Sequence, residues 1–249
     1  MAFRTEPMKK KSNYYSIKDG NFRLTTDKED PEAVRREYTN PKTGETGVAY
    51  ERAFKSLFGV ISEVTFHENT LKDGTVLRSI HIGLGEDENG VAQIISLAID
   101  SRFTSDFLKR LPAIDLKREV RLAPYDFEPK EGPRQVGISI THSNDGEHFT
   151  EKVQNFFLKE EIKKDKKGNE KKTYKTLHGL PEPTDEDKQD WPFYFKKVSK
   201  FLIKYAQENV CQQLNETRFG ADVSKPQDEN GDPEAIDKAL DEAFSDKKE

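Results

Sequence analysis

A chain of 249 residues has room for one or two domains, but 35% charged against 33% hydrophobic residues predicts a modest core with long polar segments attached. A single cysteine, Cys211, excludes an internal disulfide and any multi-cysteine zinc site. No stretch approaches the ~18 apolar residues of a membrane-spanning helix, and the start MAFRTEPMKKKSN lacks the apolar region of an export signal, so the expected location is the cytoplasm.

The net charge of −5 is unevenly distributed. Residues 221–249 hold ten acids against four lysines, whereas the other 220 residues hold 37 bases and 36 acids. Local basic excesses lie in KKK at 9–11 and in LKEEIKKDKKGNEKKTYK at 158–175. The layout is therefore an acidic tail on a body with basic segments.

Residues 1–52 are polar and turn-rich, with NPKTGETG as the clearest turn and only YYSI and FRLTT strand-like, which predicts an N-terminal arm or a pair of edge strands. AFKSLFGVISEVTFHE follows, rich in β-branched and aromatic residues. Its alternation changes phase near Gly59, so this long strand is expected to kink there and serve two sheets. VLRSIHIGL alternates Ile80, Ile82 and Leu84 with Ser79, His81 and Gly83, and the EDENG turn leads into VAQIISLAI with Ile95, Leu97 and Ile99 on one face. DSRFTSDFLKRLP then switches to helical spacing at Phe103, Phe107, Leu108 and Leu111, capped by Asp100 or Ser101 and stopped by Pro112. REVRLAPYDFE and RQVGISITH form a hairpin, with EKVQNFFLK as a further edge strand.

Residues 159–190 read as a charged linker, and 193–214 as a helix of about five turns beginning after Pro192. Its stripe of Val198, Phe201, Leu202, Tyr205 and Ala206 must be covered, by the body of the protein or by a second copy in a homo-oligomer. Three strands, a helix and a hairpin after a long bent first strand make the order of an OB-fold, so the expected fold class is mainly β with a five-stranded OB-fold-like barrel over 53–158. It carries a short helix between its third and fourth strands and a long C-terminal helix at 191–220. A small sandwich with an incidental helix is the structural alternative.

No phosphate-cradling loop, nucleophile elbow or zinc-protease signature occurs, and the segment DENGDPEA lacks the first carboxylate of a calcium loop. The histidines are scattered, and only His67 and His81 can approach one another across neighbouring strands. Neither an enzyme, a cofactor nor a metal site is indicated. What the pattern does offer is a single-strand groove, in which bases stack on aromatic rings and phosphates meet Lys and Arg. The inferred outward face supplies His81, with Arg78 if the register slips by one, then Arg121, Tyr125 and Phe127 on the fourth barrel strand, and Lys55 with Phe54 or Phe58 on the first. The arm adds Tyr14, Tyr15 and Phe22 beside KKK.

Barrel plus acidic tail resembles the single-stranded DNA-binding proteins of bacteria and especially of their phages, over residues 53–142, from FGVISEVTF through RQVGISITH, and in the tail. The resemblance implies a sequence-independent single-stranded DNA-binding protein of DNA replication, recombination or repair, in the host cytoplasm if phage-encoded. It also implies a tail that competes with DNA and recruits replication or recombination enzymes. The ending DEAFSDKKE departs from tails that finish on an apolar residue after acids. The alternative reading is a non-enzymatic protein-interaction module, such as a phage assembly or accessory factor.

Overall fold

The computed structural model describes residues 11–39, 44–71, 74–130, 132–145, 147–164 and 170–214. The acidic tail at 221–249, Lys9 and Lys10 of the KKK run, and 165–169 of the lysine-rich stretch lie outside the described residues. The chain divides into two compact units, Met1–Phe107 with Ile114–Gln154, and Leu108–Ala113 with Asn155–Glu249.

The first unit begins with a hairpin of β1 (Ser12–Lys18) and β2 (Asn21–Thr26). Its two-residue turn, Asp19-Gly20, has both residues at positive φ (51° and 67°), the pairing that lets a tight hairpin keep its right-handed twist. β3 (Val34–Thr39) and β4 (Thr46–Phe54) form a second hairpin. β3 is exposed along most of its length and is tied by a bidentate pair from Arg36 to Glu51, at 2.6 and 2.9 Å. Next come β5 (Leu57–Gly59), β6 (Glu63–Thr70), β7 (Val76–Glu86) and β8 (Ala92–Ala98). The helix α1 (Arg102–Arg110) follows, capped by the Ser101 hydroxyl accepting from the Thr104 N–H. β9 (Val120–Phe127), β10 (Gln135–Ser143) and β11 (Phe149–Lys152) complete the unit.

These strands make two open sheets, a seven-stranded one in the order β3-β4-β2-β1-β8-β7-β6 and a four-stranded one in the order β11-β10-β9-β5. Every pairing is antiparallel except β1 with β8. The chain passes from one sheet to the other at Gly59, whose φ of 153° only glycine adopts readily, at the phase change read from the sequence. Alternation then sorts the side chains: Ile80 and Ile82 of β7, Ile95 of β8, and Leu122, Ile138 and Ile140 of the second sheet are fully sealed, with Phe22 and Phe107 beside them.

The closed five-stranded OB-fold barrel does not form. Closure would require β8 to pair with β10, and both edges are otherwise engaged. β1 lies parallel to β8, setting Ser12 to Tyr15 against Ala92 to Ile95. On β10, the Ile138 N–H donates to the Asp106 carboxylate of α1 at 2.8 Å, and the Ile140 carbonyl accepts from the Val153 N–H at 2.9 Å. Nor does a helix stand between the third and fourth strands: α1 stands between the eighth and ninth. Residues 12–54 are accordingly no separate arm, since they supply four of the seven strands of the larger sheet.

In the second unit, β12 (Leu158–Lys164) and β13 (Glu170–Thr176) pair as a two-stranded ribbon inside what reads as a linker. α2 (Trp191–Ala206) starts under an Asp190 cap that accepts from the Phe193 N–H at 3.1 Å, has Pro192 in its first turn, and runs into a π-helical turn, Gln207–Cys211. The apolar stripe is covered: Val198, Leu202 and Ala206 are buried, and the sealed Phe157 ring meets Phe201 and Tyr205 edge-on. Three glutamines, a glutamate and an asparagine among residues 207–213 leave Val210 as the buried position of the π turn.

Candidate nucleic-acid interface

The outward side of the four-stranded sheet is built by cross-strand register. Phe58 of β5 lies opposite Arg121 of β9, Arg121 opposite Thr141 of β10, and Thr141 opposite Lys152 of β11, one row spanning all four strands. Because partners in an antiparallel ladder share a face, this row carries an aromatic ring and two cations on the same side. The Arg121 guanidinium stands 6.0 Å from the centre of the Phe58 ring, and Phe149 meets Phe58 edge-on at 5.0 Å.

Two registers further along β9, Tyr125 lies opposite Gly137, and Phe127 opposite Gln135. The Tyr125 ring covers Gly137 so closely that a Cβ there would run into its hydroxyl and the Asp106 carboxylate. Tyr125 and Phe127 sit 6.1 Å apart, tilted by 49°. The inner side of the same strand holds Val120, Leu122 and Pro124, all buried. Phe58 and Phe127 remain 49% and 53% exposed, so each leaves part of its ring accessible to a ligand.

A second aromatic row crosses the outward side of the seven-stranded sheet. Tyr14 of β1, 51% exposed, meets His81 of β7 edge-on at 5.6 Å, and His81 stacks on His67 of β6 at 4.0 Å. Thr65 fixes the His67 ring through its hydroxyl, 2.8 Å from Nε2. Burial, then the neighbouring His67, pushes the His81 imidazole down to about 4, against a smaller raising effect of Glu63. His81 is therefore neutral at pH 7, and the stack forms without charge repulsion.

The remaining candidates separate. Tyr15 faces the core, 6% exposed, with its hydroxyl donating to Gln93 Oε1 at 2.6 Å and its pKa raised chiefly by burial, so it offers no surface to a base. Arg78 points away from His81 by strand alternation and is held by Glu68 at 2.7 Å. Lys55 is exposed in the bend between β4 and β5. Phe54 is taken up by Tyr15 and by the Arg52 guanidinium, 5.3 Å from its ring, and Phe22 is sealed. Phe149 and Lys152 escape sequence reasoning because β11 is only four residues long and its register shifts at His142/Ser143, too short a span for alternation to register.

Among the described residues no three His, Cys, Asp or Glu side chains gather into a metal-holding group, and burial pushes the Cys211 thiol up to about 11, which makes it a poor nucleophile. No described helix is long and apolar enough to cross a membrane.

The buried imidazoles set a pH dependence. His142 is 3% exposed, accepts through Nε2 from the Asp115 N–H at 3.1 Å, and has its pKa lowered, first by burial and then by Arg118. An unfolded imidazole titrates near ~6.5. The unfolded chain thus binds more protons than the folded one below that pH, and stability that is complete above about 6.5 falls as the pH drops towards the folded values. The urea midpoint is expected to decline from pH 7 to pH 5, and less steeply in His81→Gln; a midpoint flat across that range contradicts the assignment of neutral buried rings.

No protein-family model, curated protein or solved structure matches this chain.

Proposed function

We propose that this chain is a non-enzymatic protein that binds single-stranded DNA without regard to sequence, in the service of DNA replication, recombination or repair. The observation that carries the reading is the outward side of the four-stranded sheet, where Phe58, Phe127, Tyr125 and Phe149 share one surface with Arg121 and Lys152. Rings offer planes to bases of any identity, at about 1 to 3 kcal/mol per stacked base, while the two cations meet phosphates. Stacking does not read hydrogen-bonding edges, so where it dominates little sequence preference follows. The row Tyr14, His81 and His67 supplies a second stacking surface of the same kind.

Titration with oligo(dT) and oligo(dA) at two salt concentrations tests this. Comparable binding of both at low salt, weakening as salt rises, is the expected result. No binding of either at low salt, with residues 221–249 present or removed, disposes of the reading.

A second reading, a protein-interaction module, draws on α2. Trp191 and Phe195, 44% and 58% exposed, stack at 6.0 Å on its first turns beside an equally exposed Phe193. Sedimentation of Phe195→Ser tests the second: loss of an assembly, in a chain that binds no single-stranded DNA, favours the interaction module.

A further inference from the structure

The ribbon of β12 and β13 pairs with neither larger sheet, and residues 158–176 carry eight lysines against four acids. Its register sets Lys159 opposite Lys175. Like charges directly opposite on a ladder oppose pairing. Lys159, Lys163 and Lys175 are all exposed, and Glu161, 3.7 Å from the Lys163 ammonium, offsets only part of this excess. The alternate positions put Ile162 and Tyr174 on the other side, 62% and 63% exposed. A two-stranded piece with a self-repelling side and an open aromatic on its reverse gains little stability from its own contacts. Its charge is complementary to a polyanion.

We infer that this ribbon is a second contact for single-stranded DNA, which crosses the edge of the narrow two-stranded piece, its phosphates on Lys159, Lys163 and Lys175 along one side and a base stacked on Tyr174 on the reverse. The inference rests on the single-stranded DNA reading given above. Tyr174 is what favours DNA over an acidic peptide, since a peptide's carboxylates call for the lysines but not for an open ring.

The test uses the full chain. Lys159→Ala, Lys163→Ala and Lys175→Ala combined are compared with the unaltered protein in titrations with long oligo(dT) across a salt series. Each phosphate contact on a single strand contributes about 0.7 to the slope of log affinity against log salt, so the triple variant is expected to lose about 2 from that slope. Tyr174→Ala is expected to weaken binding at every salt concentration with the slope unchanged. Melting of the triple variant at or above the parent temperature shows that the loss is not unfolding. An unchanged slope and affinity in the triple variant, with the parent protein binding DNA, overturns the ribbon contact and leaves the sheet surface standing. A reduced slope together with full binding by Phe58→Ala and Phe127→Ala upholds the ribbon and removes the sheet surface. A parent protein that binds no DNA at low salt removes both.

Discussion

Phe58→Ala and Phe127→Ala are each expected to weaken oligo(dT) binding between about fivefold and 150-fold, the equivalent of about 1 to 3 kcal/mol for one lost stack at 1.4 kcal/mol per tenfold. The two rings are separated along the sheet, Phe58 in the row of Arg121 and Phe127 six residues further along β9. They meet different bases, so the double variant is expected to show close to the product of the two effects. Both rings are about half exposed, so the substitutions remove little from the core and the melting temperature is expected to stay within a few degrees. Arg121→Ala has a different signature, a shallower salt dependence with a smaller loss at low salt. Unchanged affinity in the Phe58 and Phe127 double variant would mean that DNA, if bound, lies elsewhere.

The largest stability effect is expected at Gly59. A Cβ there runs into the Leu84 carbonyl oxygen, a backbone atom of β7 that cannot turn aside as a side chain would, and φ at 153° is itself unfavourable for any other residue. The conformational penalty alone is about 1 to 3 kcal/mol, and the clash adds to it. Gly59→Ala is therefore expected to cost at least about 2 kcal/mol, which lowers the melting temperature by roughly 4 to 8 °C in a chain of this size. Gly85→Ala is the control. Its φ is also positive, 84°, but a Cβ meets nothing within 4 Å, so only the conformational part is lost. Equal losses at the two positions would show that the crossing between the sheets tolerates a shift of β7.

The local elements were legible where apolar residues alternate or recur, and the edges were not. Ile80, Ile82 and Leu84 mark β7, Phe107 and Leu108 mark the buried side of α1, and the phase change at Gly59 marks the crossing. All of these are signals written by a buried face. β3 carries almost no such signal, because its residues VRREYT face water and are held by Arg36 on Glu51. The lysine pattern of β12 and β13 hides two strands in the same way. Barrel closure failed as an expectation because strand order does not say which edge an N-terminal strand or a helix carboxylate will occupy. β1 and Asp106 occupy the two edges that a barrel needs. The outward placement of Arg121, Tyr125 and Phe127 was legible from period-two alternation alone, whereas the burial of Tyr15 depends on which strand lies beside it.

The parallel pairing of β1 with β8 also bears on how the chain acquires its structure. Hairpins β1–β2 and β3–β4 are local and close quickly, but Asn13 meets Gln93 across 80 residues of sequence. Joining the two halves of the larger sheet is a long-range event whose loop entropy must be met before any contact rewards it. Until β8 has been synthesised, the edge of β1 has no partner in its sheet. The slowest step of folding is therefore expected at the docking of β1–β4 onto a sheet made after them, with the edge of β1 open to wrong partners in the interval.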